Sequence, residues 1–273
     1  MTWFRLGGTS RFLFRPRDPS DLSQFAARAK QEQVSVKLLG CGANVLVRDD
    51  GFDGVVVRLD QPAFCGIGWR GSDVEVGAGV ELMPFARRCS SLGFSGLEAM
   101  AGIPATIGGA VRMNAGGRGG DFGDVVKEVR VIGDDGSDEV WDRNRLGFEY
   151  RRSQIGSMTV VSAKLELKQD DPKLTKAAFD DYFEQKKRTQ PLADHSAGCI
   201  FRNPTGHSAG ALIDQAGLKG MRSGHARVSE RHANFIVADR GATSSDVLRL
   251  IDVVRERILT LFGMQLETEI DIW

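Results

Sequence analysis

The stretch GIPATIGGAVRMNAGG, residues 102–117, decides how this chain is read. Gly102, Gly108, Gly109, Gly116 and Gly117 make it the most glycine-dense part of the sequence. Turns of this kind can aim successive peptide N–H groups at one anion without a charged side chain. A second segment, LGCGAN at 39–44, ends an apolar, β-branched run and has the same character. Neither carries GxxxxGK followed by Ser or Thr, and neither opens a helix with GxGxxG, so the two commonest nucleotide-binding loops are excluded. A phosphate-bearing ligand fits both stretches. Tight turns and close backbone packing fit them as well.

Working outward, the chain has 273 residues, enough for one large domain or two to three smaller ones. Lys plus Arg and Asp plus Glu each total 36, so the formal net charge is zero. That removes any bulk-charge argument for nucleic acid or an anionic membrane surface. The opening residues, MTWFRLGGTSRF, lack the apolar core of a signal peptide. No later run approaches the roughly 18 apolar residues of a membrane span. Cys41, Cys65, Cys89 and Cys199 form no CxxC pair, and neither they nor His195, His207, His225 and His232 show zinc-ligand spacing. No metal is expected, and reduced thiols in a cytoplasm are the simplest reading.

The periodicity predicts mixed strands and helices. A short strand follows the glycine turn of FRLGG, and a helix over DPSDLSQFAARAKQEQ starts at Asp18 or Ser20. VSVKLLG reads as a buried strand, and VLVRDDGFDGVVVRL as two strands around an Asp-Gly-rich turn. From Phe64 onward the pattern predicts a strand at DVEVGAG and a helix at ELMPFARRCSSLG with Leu82, Phe85, Ala86, Cys89 and Leu92 on one face. A hairpin at VVKEVRVIGDDGSDEVWDR and a strand at MTVVSAKLELKQ follow. The helix over DPKLTKAAFDDYFEQKKRTQP ends before Pro191 and opens a new block. That block holds a helix at SAGALIDQAG, a strand at HANFIVAD and a long helix at TSSDVLRLIDVVRERILTLFG. Val247, Ile251, Val254, Ile258 and Leu261 stripe the long helix, and Gly263 stops it. MQLETEIDIW reads as a closing strand.

Eight strings then occur in order over nearly the whole chain: FRLGG, LLGCGANVLVRDDGFDGVVVRL, GIPATIGGAVRMNAGG, EYRRSQI, SAGCIFRNP, SAGALIDQAGLKG, VSERHANFIV and LETEI. Each alone is weak; the ordered set closely resembles the UDP-N-acetylenolpyruvoylglucosamine reductases (the MurB family) of bacterial peptidoglycan synthesis. The resemblance implies an α+β chain with a two-part FAD-binding fold, PCMH-type or VAO-like, over residues 1–61 and 62–170. It implies a C-terminal α/β substrate-binding domain over 171–264 and a closing strand, 265–273, that carries a catalytic Glu. FAD is the implied cofactor, NADPH the electron source and a UDP-sugar enolpyruvyl ether the small-molecule substrate. No obligate protein partner is implied. The short run from EYRRSQI to SAGC is similar to the shorter subtype of the family.

The same resemblance assigns residues. Gly40, Gly42, Ala43 and Asn44 fall in one cofactor cradle. Gly102, Ile103, Thr106, Gly108, Gly109, Asn114 and Gly116 fall in the other. Ala43 and Ala105 stand where the family more often has Ser and Gly. Arg151 matches a cation for the substrate carboxylate, and Glu269 the catalytic carboxylate. Cys199 occupies the slot where most members carry the proton-donating serine. Arg188 falls at a flavin-contacting position, and Tyr150, Gln190 and Asn203 at substrate-contacting ones. Arg152 and Glu267 are the neighbours with which Arg151 and Glu269 could be confused. An oxidase of the same FAD-binding superfamily, or a weakly active paralogue, are the rival readings.

Overall fold

The computed structural model describes every residue from Met1 to Trp273. The chain forms two compact units, one of Arg11–Cys41 and Asp53–Gln185, the other of Met1–Ser10, Gly42–Phe52 and Lys186–Trp273.

The larger unit is built on a five-stranded antiparallel sheet. Its strand order is Asp138–Asp142, Val126–Ile132, Thr159–Glu166, Asp73–Gly77, Ile67–Arg70. Val126–Ile132 and Thr159–Glu166 alternate in burial over part of their length, and each has an adjacent buried pair, Val131–Ile132 and Val160–Val161, whose Ile132 and Val161 face a second core. Val129, Val131, Ala163, Leu165, Val74 and Val76 share one core with Leu82, Phe85, Ala86 and Cys89 of the helix Leu82–Ser91. A smaller sheet places Phe52–Val57 between Ser10–Phe14 and Val36–Leu38. Asp18 caps the helix Pro19–Gln31, accepting from the Asp21 N–H. That helix buries Leu22 with Val55, Val57, Phe64, Ile132 and Val161.

The second unit is organised by the helix Ser244–Phe262. Thr243 and Asp246 form its capping box, and Gly263, at φ 66, ends it. Val247, Leu250, Ile251, Val254 and Ile258 pack with Ala226, Val228 and Ile236 of a three-stranded sheet. Each such side chain contributes about 1.5–3 kcal/mol of burial. Met1–Ser10 and Gly42–Phe52 belong to this unit because long-range bonds hold them there. Trp3 N–H donates to the Gly42 carbonyl at 2.9 Å, and Arg48 N–H to that of Trp273 at 3.0 Å. The Asp49 carboxylate accepts from the Ser244 N–H at 2.8 Å and the Ser245 N–H at 3.2 Å, at the start of the long helix. Phe4 and Leu46 are fully buried in the same core. Division by compactness therefore cuts across the sequence-based boundaries 1–61, 62–170, 171–264 and 265–273.

Four local expectations are corrected. VSVKLLG forms only the edge strand Val36–Leu38, and Val36 is exposed rather than buried. Leu92, the residue after the helix Leu82–Ser91, and Leu261, in the last turn of the helix Ser244–Phe262, are exposed and lie outside their predicted stripes. The glycine-dense stretch contains a helix, Ile107–Met113, that its composition hides. The closing segment is not one strand: it makes a bridge at Thr268 and a two-residue pairing at Asp271–Ile272.

Candidate active site

In the larger unit the two glycine stretches adjoin. A Cβ on Gly40 would stand 2.7 Å from the Thr106 hydroxyl oxygen, so only glycine lets the first loop pass there. Thr106 caps the helix Ile107–Met113 by accepting from the Gly109 N–H at 3.2 Å. The helix start is otherwise tied into the fold. Ile107 N–H donates to the Val80 carbonyl and Gly108 N–H to that of Ala78, both at 2.9 Å. The amides of Gly108 and Gly109 are thus engaged within the protein. Gly108 serves close packing instead: a Cβ there would lie 3.1 Å from that of Ala78.

Donor capacity lies elsewhere. The N–H groups of Gly40, Cys41, Gly42, Ala43 and Asn44 make no hydrogen bond within the protein, and neither do those of Gly102 and Thr106. These groups are half-buried or buried, so an acceptor from outside the chain fits them. Within the larger unit, the unbonded amides of Gly40, Cys41, Gly102 and Thr106 are the donors open to an anion such as a phosphate. Burial, with Glu81 adding and Arg58 opposing, pushes the Cys41 thiol up to about 11, so it brings no charge to the loop.

Arg151 sits in the same unit with φ 54, a left-handed conformation. Its guanidinium donates to the Gly116 carbonyl at 2.6 Å, the Asp121 carboxylate at 3.3 Å and the Asn114 carbonyl at 3.5 Å. It lies 5.0 Å from the centre of the Tyr150 ring, which is itself exposed. A Cβ on Gly116 would run into the Asp121 carboxylate, so glycine there admits the partner of Arg151. Arg152 is exposed and pairs with Glu149 across an isolated bridge.

Asn114 has a structural part in this unit. It is buried, at φ 40, and closes the helix Ile107–Met113. Its Oδ1 accepts from the Gly123 N–H and its Nδ2 donates to the Glu149 carbonyl, each at 2.9 Å. It thereby fixes the loop that carries Tyr150 and Arg151. Ser153 adds to this through a 2.9 Å bond to the Arg112 carbonyl.

The second unit holds Cys199 and Glu269 on adjoining segments. Phe201 and Thr268 form an antiparallel bridge, Glu269 N–H donates to the Ile200 carbonyl at 2.8 Å, and Arg202 N–H to that of Glu267 at 2.9 Å. Cys199 and Glu269 are half-buried, whereas Glu267 is exposed. Asn44 donates from Nδ2 to the Glu269 carbonyl at 3.1 Å, and its own carbonyl accepts from Asp271 N–H at 2.9 Å. So Asn44 braces the segment bearing the carboxylate. Asn203 is exposed; its Oδ1 accepts from Ala209 N–H at 2.9 Å, and its Nδ2 makes no bond within the protein. Arg188 is exposed near the end of the helix Pro172–Thr189, and Gln190 follows it, half-buried.

Two residues that local pattern does not single out also belong to these arrangements. Asp121 touches Arg151 from 30 positions away. Asn234 pairs with Phe201 from 33 positions away. The only signal for Asn234 is an amide inside the apolar run HANFIV.

His232 supports Asn234: its Nδ1 accepts the Asn234 N–H at 3.3 Å. Burial, reinforced by Lys219 and opposed by a backbone hydrogen bond, holds the imidazole below its ordinary value. The unfolded chain then binds the proton more readily than the folded one. Stability is accordingly full above about pH 6.5 and falls as pH drops from there toward the lower folded value. Melting curves between pH 8 and 5.5 are expected to show this loss, and His232→Gln is expected to flatten it. Asp49, Asp239 and Asp246, all held low, titrate below that window.

The family model described as an FAD binding domain matches residues 10–138. That described as the C-terminal domain of UDP-N-acetylenolpyruvoylglucosamine reductase matches residues 190–273. The UDP-N-acetylenolpyruvoylglucosamine reductase 2 of Symbiobacterium thermophilum is 41% identical, over all of this chain and 89% of its own length. The reductase of Anoxybacillus flavithermus is 39% identical over 99% of this chain and 90% of its own. The crystal structure of the Thermus caldophilus reductase superposes with a TM-score of 0.84 at 37% identity, covering 96% of this chain and 91% of that one. With likeness of this degree running from end to end, and with an FAD-binding fold joined to the reductase C-terminal domain, the chain belongs to the UDP-N-acetylenolpyruvoylglucosamine reductase family.

Proposed function

We propose that this chain reduces the enolpyruvyl ether of UDP-N-acetylglucosamine to the lactyl ether, giving UDP-N-acetylmuramate for the bacterial cell wall. It is an FAD-dependent oxidoreductase that draws on NADPH, as its family does. The observation that carries the reading is the pairing of the Cys199 segment with that of Glu269, in a chain that aligns throughout with the reductases.

The unbonded amides of Gly40, Cys41, Gly102 and Thr106 in the larger unit would hold the FAD diphosphate. When bound, FAD supplies hydride transfer from NADPH to the vinyl carbon of the substrate. The chain's own residues do the rest. Arg151, permanently charged and fixed by three acceptors, holds the substrate carboxylate and stabilises the charge that develops there. The Cys199 thiol gives its proton to the carbon beside the carboxylate, and the resulting thiolate is reprotonated from solvent. Atoms then balance: one hydride and one proton saturate the double bond. Glu269 stabilises the enolic form or orients the donor. Asn203 Nδ2, Gln190 and Tyr150 contact the sugar nucleotide, and Arg188 the cofactor.

No helix of the structure is long and apolar enough to cross a membrane. A reaction on a UDP-sugar with NADPH belongs in the cytoplasm, where thiols stay reduced.

Purified protein is expected to show flavin absorbance bands and to oxidise NADPH only when the enolpyruvyl sugar nucleotide is added. Flavin bands with rapid oxygen-dependent turnover and no response to that substrate would indicate an oxidase instead. Binding of the substrate without turnover would mark a weakly active paralogue.

A further inference from the structure

We propose that Asn234 is a positioning residue for this reaction, setting the backbone that carries Cys199 against the segment that carries Glu269. The inference rests on the roles proposed above for those two residues.

Asn234 is 3% exposed and spends its polar atoms on one target. Its Oδ1 accepts the Phe201 N–H at 3.0 Å, and its Nδ2 donates to the Phe201 carbonyl at 2.8 Å. Its own backbone carbonyl accepts the Ile200 N–H at 2.8 Å. On the opposite edge of the same segment, the Ile200 carbonyl accepts from Glu269 N–H and Arg202 N–H donates to Glu267. Ile200–Arg202 is therefore bonded on both edges, although it lies in no extended sheet. Asn234 replaces a missing strand. A side-chain amide suits this, because it offers an acceptor and a donor at the spacing of one residue's N–H and C=O.

The surroundings fix the clamp in turn. His232 Nδ1 takes the Asn234 N–H. Gly210 faces both residues: a Cβ there would lie 3.3 Å from His232 Cε1 and 3.6 Å from Asn234 Cβ. Cys199 itself has an unequal backbone. On its N-terminal side is Gly198 at φ 76, the residue type with the least conformational restraint. On its C-terminal side is the clamped pair Ile200–Phe201. Asn234 holds the C-terminal side of the thiol-bearing residue. Proton delivery to a single carbon is sensitive to displacements of about 1 Å.

Asn234→Ala in the flavin-loaded enzyme tests this. It keeps the Ile200 bond, which is to backbone, and removes both bonds to Phe201. Substrate turnover is expected to fall about 10- to 100-fold, since displacements of about 1 Å cost on that order, while KM for the sugar nucleotide and NADPH-dependent bleaching of the flavin band stay close to the parent. The rate of Cys199 alkylation without substrate is expected to change several-fold. Unchanged kcat and alkylation, beside an impaired Cys199→Ala, would overturn the inference and leave the reading of Cys199 standing. Parallel loss of bleaching, turnover and melting temperature would overturn it too, showing a general structural role. Normal turnover by Cys199→Ala would instead remove the reading of Cys199 itself. If Asn234→Ala does not fold, amide exchange in the parent enzyme decides. Phe201 is expected to be protected together with Ile200 and Glu269, and fast exchange at Phe201 alone would refute the clamp.

Discussion

Cys199→Ala is expected to leave NADPH-dependent bleaching of the flavin within about twofold of the parent and to slow reduction of the sugar nucleotide by about 10²–10⁴-fold, the range for loss of a general acid. The two half-reactions separate because only the second consumes a proton at carbon. Equal loss of both would mean that the substitution disturbs cofactor binding. Loss of neither would mean that another group delivers the proton. Cys199→Ser places a hydroxyl where the family resemblance expects a serine, and is expected to keep turnover. It should also remove any decline at alkaline pH that follows thiol ionisation, since an alcohol does not ionise there. A decline that persists in Cys199→Ser belongs to another group.

The thiol also offers a chemical readout. Burial pushes Cys89 up to about 12 and Cys41 to about 11, which keeps both protonated and slow toward alkylating reagents. Cys65 is exposed but also held above its ordinary value, by burial first and Asp60 second. In a Cys65→Ser background, alkylation by iodoacetamide is expected to abolish substrate reduction at one equivalent, with the sugar nucleotide protecting. Inactivation that substrate does not slow would place the reactive thiol away from the reaction.

Residues with a local signature are legible in the sequence alone. Asp18 before a periodic helix, Gly263 after one, and the Asp-Gly turn between the strands Val126–Ile132 and Asp138–Asp142 are all where pattern puts them. The helix Ile107–Met113 is not legible in this way, because Gly108 and Gly109 each cost about 1 kcal/mol of helix propensity and mask it. Tertiary packing reverses that cost: Gly108 must be bare to lie on Ala78. The two catalytic candidates in SAGCIFRNP and LETEI are legible only through resemblance. Their supports are not legible at all. Asn114 reaches Glu149, Asp121 reaches Arg151 and Asn234 reaches Phe201 across 30 or more positions. Such pairings leave no periodic trace. The same holds for Asp49, whose grip on Ser244 assigns an early loop to the C-terminal unit.

Arg151 combines the charge proposed to hold the substrate carboxylate with a left-handed backbone, and this permits a sharper test than activity alone. At φ 54 a non-glycine residue costs roughly 1–2 kcal/mol. The tight turn closed by reciprocal backbone bonds between Glu149 and Arg152 puts Arg151 where the chain takes positive φ, and the fork of bonds to Gly116, Asp121 and Asn114 holds its side chain. Arg151→Ala keeps the strain and removes the charge. Arg151→Gly removes both. Each is expected to lower kcat/KM for the sugar nucleotide by about 10²–10³-fold, as loss of a preorganised electrostatic donor does. Their stabilities are expected to diverge, with the glycine form about 1 kcal/mol more stable than the alanine form. Arg151→Lys keeps a charge but not the planar fork, so it should recover only a minor part of the rate. NADPH-dependent bleaching should survive in all three, because the substrate carboxylate plays no part in it. An Arg151→Lys enzyme with parental turnover would show that a point charge suffices. Equal stability of the glycine and alanine forms would show that the left-handed backbone is relaxed in solution. Only low activity together with the stability gap shows a residue held against its conformational preference for the sake of the reaction.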